Sequence, residues 1–131
     1  MLDVSGTMRE FLVSVPAGYS PSKPTRVVFA WHALGGTARQ IVGNIFGGPY
    51  YGLKSKLTDA IFISAQGLAD TSGANMGMTG WQNSNGRDVA FARALLAWLD
   101  MPHDWFTTEA ESTAAVELDR DAERARDLVP H

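Results

Sequence analysis

The sequence contains no cysteine, which excludes disulfide bonds and metal sites built from thiolates. Histidine is also scarce, and the three that occur, His32, His103 and His131, are too widely spaced for a zinc-binding motif. No apolar run approaches the roughly 20 residues that a membrane-spanning helix requires. We therefore expect neither a bound metal nor insertion into a membrane.

The sequence also has no excess of basic residues over acidic ones. The net charge is −3, whereas binding to nucleic acid needs clustered Lys and Arg, so we expect no nucleic-acid partner. With 45% hydrophobic and 19% charged residues, the composition is typical of one small globular domain. The N-terminus lacks the basic and apolar segments of a secretory signal, which favours a protein that is cytoplasmic or given without its export signal.

Glycine content and charge change abruptly near residue 100. All 13 glycines lie at or before Gly86. The net charge is +2 over residues 1–100 and −5 over residues 101–131, where eight acidic and three basic residues occur. This change predicts two regions, a glycine-containing domain over 1–100 and an atypical acidic helical segment over 101–131.

The first region is predicted to alternate strands with helices, which is typical of a parallel α/β sheet. The predicted strands are Met8–Val15, Arg26–Trp31 and Ala60–Ser64, and the last two are apolar runs suited to burial on both faces. Thr37 is a candidate cap for the helix after the second strand. A long loop over 66–86 is followed by a helix over 87–99, with a predicted apolar face of Val89, Ala92, Leu95, Leu96 and Leu99.

A further helix is predicted within the acidic segment. Thr107 or Thr108 is its candidate cap, and Pro130 ends it. A narrow apolar stripe runs through Leu118, Ala122, Ala125 and Val129. Such a stripe fits either a helix packed on the rest of the domain or a dimerisation helix, and a disordered segment is the remaining alternative.

The segment His32–Gly36 follows a predicted buried strand. Ligands of open α/β sheets bind beyond the carboxyl ends of the strands, and a glycine-containing loop there can direct N–H groups at a developing oxyanion. Leu34 and Gly35 are the candidate donors of such an oxyanion hole. The alternatives are an ordinary tight turn for the loop and a structural hydrogen bond for His32.

The segment Gly80–Asp88 opens the predicted helix after the long loop. Asp88, or Asn85 before it, is a candidate helix cap. Trp81 and Gln82 are candidates for lining a substrate pocket that accepts an aromatic or acyl group. The alternative for Trp81 is a place in the hydrophobic core.

Five motifs occur together in one order. They are Val-Pro-Ala-Gly-Tyr at 15–19, Val-Val-Phe-Ala-Trp-His-Ala-Leu-Gly-Gly-Thr-Ala at 27–38, Tyr-Tyr-Gly-Leu at 50–53, Ile-Phe-Ile-Ser-Ala-Gln-Gly-Leu at 61–68, and Gly-Trp-Gln-Asn-Ser-Asn-Gly-Arg-Asp-Val-Ala-Phe at 80–91. With these motifs, residues 9–100 resemble the N-terminal half of the feruloyl esterase and polyhydroxybutyrate depolymerase group of α/β-hydrolases. The resemblance implies a truncated α/β-hydrolase-like parallel sheet, ester hydrolysis by a Ser-His-Asp triad without a cofactor, and a bacterial or fungal family that is mostly secreted.

The chain departs from that family at two points. Ala33 stands where the family usually has glycine, and its methyl group is expected to narrow the oxyanion loop. No Gly-x-Ser-x-Gly elbow, the turn that exposes the nucleophile in this fold, occurs anywhere in the sequence. The remaining catalytic candidates are weak ones, namely Ser112, Ser64, Ser84, His32 and His103.

We predict a carboxylic ester hydrolase for short acyl or aryl esters, with a small ester or an aromatic acid as its ligand. The alternative is an inactive hydrolase remnant that acts as an oligomeric binding module, and interaction through the acidic helix is a third hypothesis. In the fold that the resemblance implies, the nucleophile strand lies beside Arg26–Trp31. Its absence leaves a strand edge open, and exposed edges pair with other chains, so we predict a homodimer.

Overall fold

The computed structural model describes residues 1–101. This part of the chain contains strands β1 (Leu2–Val4), β2 (Thr7–Arg9), β3 (Phe11–Ser14), β4 (Val27–Trp31), β5 (Ile61–Ala65), β6 (Leu68–Ala69) and β7 (Thr79–Gly80), and helices α1 (Ala38–Val42) and α2 (Arg87–Leu99). A 3-10 turn over Ser84–Gly86 leads into α2. Strands and helices are both present, as predicted, so the domain is α/β in the broad sense.

The predicted strand Met8–Val15 is two strands rather than one. β2 pairs with β1 in an antiparallel hairpin, and β3 pairs with β5 in a different sheet. The hairpin turn is made by Ser5 and Gly6, both with positive φ, and the Asp3 carboxylate accepts a hydrogen bond from the Gly6 N–H at 2.8 Å. The chain therefore passes from one sheet to another at Glu10. The alternation of apolar and polar residues over Met8–Val15 does not reveal this change.

The central sheet is mixed, and the predicted parallel sheet is in this respect wrong. Its strand order is β3-β5-β4, with β3 antiparallel and β4 parallel to β5. All five residues of β5 are buried because both faces of the strand are covered. Ile61, Ile63 and Ala65 pack in one cluster with residues of α2, and Phe62 packs in another with Ile41 of α1. The prediction of a buried strand over Ala60–Ser64 is thus confirmed to within one residue at either end.

β4 lies at the edge of this sheet, which corrects the prediction that it is buried on both faces. Val27 and Trp31 are 36% and 39% exposed, and among its five residues only Ala30 is buried. The reason is topological, since β5 covers one edge of β4 and no strand within residues 1–101 pairs with the other.

Helix α2 begins and ends at the predicted residues, but its buried face matches the prediction only in part. Leu95 is buried as predicted, and Phe91 and Trp98 are fully buried with it, whereas the predicted core residues Val89 and Leu96 are 46% and 55% exposed. The two aromatic rings decide the orientation because they bury more apolar surface than Val89 and Leu96 could. Phe91 and Trp98 pack edge-on against Phe11 of β3, with ring centroids 6.4 and 4.9 Å away.

Helix α1 confirms the predicted cap. The Thr37 hydroxyl accepts a hydrogen bond from the Gln40 N–H at 3.2 Å, and the Gln40 side chain accepts one from the Thr37 N–H at 2.9 Å. This reciprocal pair satisfies two of the N–H groups that the start of a helix leaves open. Within residues 1–101, no helix is both long and apolar enough to cross a membrane.

The predictions for the acidic segment lie outside the described residues. They comprise the C-terminal helix, the boundary between 1–100 and 101–131, and the catalytic candidates His103 and Ser112. They stay predictions.

Candidate active site

The loop His32–Gly36 leaves the carboxyl end of β4 and is anchored by the His32 ring. This ring is almost fully buried, with 2% of the residue exposed. Its Nε2 accepts a hydrogen bond from the Gly67 N–H at 2.8 Å and lies 3.2 Å from the Gln66 amide nitrogen. Its Nδ1 lies 2.8 Å from the Ala33 carbonyl oxygen.

These partners fix the tautomer of His32. A backbone N–H can only donate and a carbonyl oxygen can only accept, so Nδ1 carries the hydrogen and Nε2 is the acceptor. Both ring nitrogens are engaged by the protein itself, which gives His32 a structural position. The suggestion that it acts as a catalytic base stays a prediction without a supporting contact.

The amide groups of the loop differ in what they bind. The Gly36 N–H donates to the Ala33 carbonyl at 2.8 Å, and the Gly35 N–H donates to the Thr79 carbonyl at 2.7 Å. Within residues 1–101, the Leu34 N–H has no acceptor. Of the two candidate oxyanion donors, Leu34 is therefore open and Gly35 is occupied.

Ala33 does not distort the loop. It is exposed and keeps a negative φ, so its methyl group requires no left-handed backbone. Gly35, two residues later, has a φ of +78°. The substitution of Ala for the expected glycine is thus compatible with the geometry that leaves the Leu34 N–H open.

Gln66, directly after β5, holds the loop to its surroundings. Its side-chain oxygen accepts a hydrogen bond from the Ala38 N–H at 2.8 Å at the start of α1. Its amide nitrogen donates to the Gly67 carbonyl at 3.2 Å. We did not predict this role; the signal available was the position of Gln66 in the motif Ser-Ala-Gln-Gly directly after a buried strand.

Trp81 connects the loop to an apolar groove. Its indole N–H donates to the His32 carbonyl at 2.9 Å, and its ring meets that of Trp31 edge-on with centroids 4.7 Å apart. The groove has a volume of about 390 Å³ and is lined by Trp31, Trp81, Asn83, Asp88, Val89 and Ala92. Gln82, the other predicted pocket residue, is not among the lining residues.

At the start of α2, which forms one wall of the groove, the N-cap position is Gly86, and the Asn83 side chain bonds the first amides in place of the predicted caps Asp88 and Asn85. The Asn83 side-chain oxygen accepts from the N–H groups of Asp88 and Val89 at 2.9 and 3.0 Å. The Asp88 carboxylate in turn accepts from the Asn83 N–H at 2.7 Å. Asn85 instead has a positive φ of 56° in the turn before the helix, a conformation that asparagine tolerates.

The serine candidates within the described residues are not placed beside a base. Ser64 is fully buried and donates to the Ala38 carbonyl at 2.8 Å. Ser84 is exposed, in the turn before α2. Within residues 1–101, no serine hydroxyl is hydrogen-bonded to a histidine. A Ser-His pair is therefore not formed by this part of the chain.

Comparison with known proteins finds no matching family model. The chain is similar to feruloyl esterase C of Emericella nidulans, with 37% identity over 89 residues, and to a probable feruloyl esterase C of Aspergillus terreus, with 34% identity over 89 residues. Both matches cover 67% of this chain and 30% of the relative. Feruloyl esterase D of Neurospora crassa is 33% identical over 98 residues, covering 68% of this chain and 30% of the relative.

The chain thus spans about 30% of the length of the curated relatives that it matches. Their names support the predicted likeness to esterases. The organisms named are fungi, which gives no support to a bacterial origin.

Proposed function

We propose that this chain provides the oxyanion-binding and acyl-binding parts of a carboxylic ester hydrolase. The observation that carries the proposal is the Leu34 N–H, which has no acceptor within residues 1–101 in a loop whose next two amides are both bonded. When a nucleophile adds to an ester carbonyl, the carbonyl oxygen becomes negative, and a fixed N–H donor stabilises that charge. The open amide at the carboxyl end of β4 is suited to this role.

The rigidity of the loop supports the proposal. An oxyanion donor is effective because it is oriented before the reaction and needs no rearrangement during it. Here the Thr79 hydroxyl donates to the Gly36 carbonyl at 2.8 Å, in addition to the bonds that hold His32 and Gly35. The loop is thereby fixed at both ends around Leu34.

The groove beside this loop is suited to binding an aromatic acyl group of the substrate. The Leu34 side chain lies against Gly80, the residue before Trp81, which joins the donor loop to the groove wall. Trp31 and Trp81 present apolar rings at right angles, an arrangement into which a further ring can pack face or edge. The names of the relatives, feruloyl esterases, suggest that an ester with such an aromatic acyl group is the substrate.

The nucleophile and base are proposed to come from outside residues 1–101, because Ser64 is buried and Ser84 has no basic partner. Of the sequence candidates, Ser112 and His103 are the two that remain. Without a working pair, an oxyanion hole and substrate binding alone retain about 10³–10⁴ of rate enhancement over water. Slow turnover is consequently expected even if neither residue acts.

Hydrolysis of p-nitrophenyl acetate and butyrate by the full chain tests the proposal. We expect a rate above that of an equal mass of serum albumin. Fluorophosphonate labelling that is lost in Ser112→Ala and kept in Ser84→Ala would identify a serine mechanism, whereas turnover without labelling would indicate the residual mechanism. A rate no higher than that of albumin contradicts the proposal.

A second candidate function is an oligomeric binding module, and the open edge of β4 favours it. Val27 and Trp31 of this strand are exposed, and no strand covers its outer edge within residues 1–101. A second copy of the chain could pair along that edge, which is a common fate of exposed strands. Sedimentation velocity is expected to show a dimer, and a clean monomer at micromolar concentration would contradict this assembly.

A further inference from the structure

A second cavity lies on the other side of the start of α2, between that helix and the β1–β2 hairpin. It has a volume of about 350 Å³. The residues that define its chemistry are Arg9, Arg87, Thr7, Thr71, Ser84 and Asn85. Neither Trp31 nor Trp81 is among its lining residues, so it is distinct from the groove of the proposed esterase site.

Arg9 is buried at this cavity with only 1% of the residue exposed. Its Nη2 forms a salt bridge with the Asp88 carboxylate at 2.9 Å, and its Cζ lies 4.2 Å from the ring centroid of Phe91. Its Nη1 and Nη2 also donate to the carbonyl oxygens of Arg87 and Gln66 at 3.3 and 3.4 Å. Its Nε, however, is buried and has no hydrogen-bond partner within residues 1–101. A buried donor without an acceptor is unfavourable unless a ligand or water fills the position.

Arg87, which also lines the cavity, likewise has a buried Nε without a partner within the described part of the chain. Its Nη2 donates to the Ala69 carbonyl at 3.1 Å. No carboxylate within residues 1–101 forms an ion pair with Arg87. Two guanidinium groups therefore line one cavity, and no carboxylate is among its lining residues within 1–101. Asp88 is paired with Arg9, and the Asp70 carboxylate, beside Thr71, is bonded to Ser72 and Asn75.

Burial and the positive charge of Arg87 both affect the pKa of Arg9. Burial lowers the pKa of its guanidinium, contact with Asp88 partly opposes that change, and the positive charge of Arg87 lowers the pKa further. The cavity also lies at the start of a helix of 13 residues, where the helix dipole adds partial positive charge. The charge of Arg87 and the helix dipole favour a negative ligand, whereas the Asp88 carboxylate offsets part of the charge of Arg9.

We propose that this cavity binds a small oxyanion, a carboxylate or a phosphate, through the guanidinium groups of Arg87 and Arg9. The hydroxyl groups of Thr71 and Ser84 provide neutral donors at the rim. Arginine is well suited to such anions because its planar N–H groups match two oxygens at once. The volume of about 350 Å³ is that of roughly twelve water molecules of liquid, which is enough for such an anion with part of its hydration shell.

Isothermal titration calorimetry of inorganic phosphate and of acetate into the full chain tests the proposal, with ionic strength held constant by chloride. We expect saturable binding of one anion per chain in the millimolar range or tighter. Comparing the two titrations shows whether the site prefers a phosphate or a carboxylate. Absence of saturable binding for both anions would overturn the proposal.

Arg87→Met is expected to weaken binding at least tenfold, because it removes the unpaired cation. Arg93→Met is the matched control, since Arg93 is an exposed arginine of the same helix that does not line the cavity. Unchanged affinity in a folded Arg87→Met would contradict the proposal. If that variant does not fold, Ser84→Ala decides the question, with roughly fivefold weaker binding expected for one lost hydrogen bond and unchanged affinity counting against it. Leu34→Pro should leave anion affinity unaltered, which separates this site from the esterase site.

Discussion

The indole N–H of Trp81 donates to the carbonyl oxygen of His32 at 2.9 Å, across 49 positions of sequence. This bond joins the groove wall to the loop that carries the open Leu34 amide. The groove and the loop therefore form one unit, and disturbing one is expected to affect the other.

Trp81→Phe tests this connection. The substitution keeps an aromatic ring in the groove but removes the N–H donor, so we expect a loss of about 0.5–1.5 kcal/mol in the free energy of unfolding, measured by urea denaturation. Trp31→Phe is the matched control, because the Trp31 indole N–H makes no hydrogen bond within residues 1–101. Equal losses in both variants would show that ring size, and not the bond to His32, is responsible.

His32→Ala is expected to destabilise the fold by about 1–3 kcal/mol, because the buried Gly67 N–H loses its acceptor. His32→Gln should recover part of this loss, since its side-chain oxygen can occupy the position of Nε2. Thermal unfolding measures both effects. A His32→Ala variant as stable as the original chain would contradict the structural position assigned to His32.

The ion pair between Arg9 and Asp88 is buried, whereas that between Arg26 and Asp59 is exposed. Arg9→Met leaves a buried carboxylate without its cation, and we expect a loss of about 3–5 kcal/mol in the free energy of unfolding. Arg26→Met breaks a pair that water already solvates, and its effect should be much smaller. Denaturant midpoints of the two variants provide the comparison, and similar midpoints would refute the distinction.

The stability of the 70–78 loop is expected to depend on acid pH through Asp70. The Ser72 hydroxyl donates to this carboxylate at 2.6 Å and, together with further bonds from the Ser72 N–H and from Asn75, lowers the pKa of Asp70 below its ordinary value. A lowered pKa stabilises the fold above the unfolded-state value of about 3.9, and this contribution is lost as pH falls through the folded-state pKa.

Asp70→Asn is accordingly expected to be less stable than the original chain at pH 7, with the difference shrinking as the pH falls below about 4. Thermal unfolding at several pH values measures this difference. A difference that stays constant with pH would show that the ionised carboxylate is not the source of the effect.

Local signals in the sequence predicted the bounds of α2, the burial of β5 and the cap at Thr37. These features depend on a few neighbouring residues, such as the apolar run Ala60–Ser64 or the pair Thr37 and Gln40. The predicted likeness to feruloyl esterases is supported by the relatives, although the α/β-hydrolase fold itself goes beyond what the described residues show.

Features that depend on distant partners were not predicted. The predicted buried face of α2 was right at Leu95 and wrong at Val89 and Leu96, because both sides of the helix are apolar. The contacts of Phe91 and Trp98 with Phe11, which lies far away in the sequence, select the buried side. The antiparallel direction of β3 depends on its pairing with β5, which no local pattern encodes. In the candidate site, the sequence identified the loop but not that Thr79 occupies the Gly35 amide, since that bond spans 44 residues.

Leu34 provides the most direct test of the proposed esterase site. The measurement is kcat/KM for p-nitrophenyl butyrate in Leu34→Pro, which removes the N–H, and in Leu34→Ala, which keeps it, with circular dichroism to confirm that both fold. We predict a loss of about 10²–10³ in Leu34→Pro and little change in Leu34→Ala. Equal activity of a folded Leu34→Pro and the original chain would contradict the assignment of this amide as the oxyanion donor.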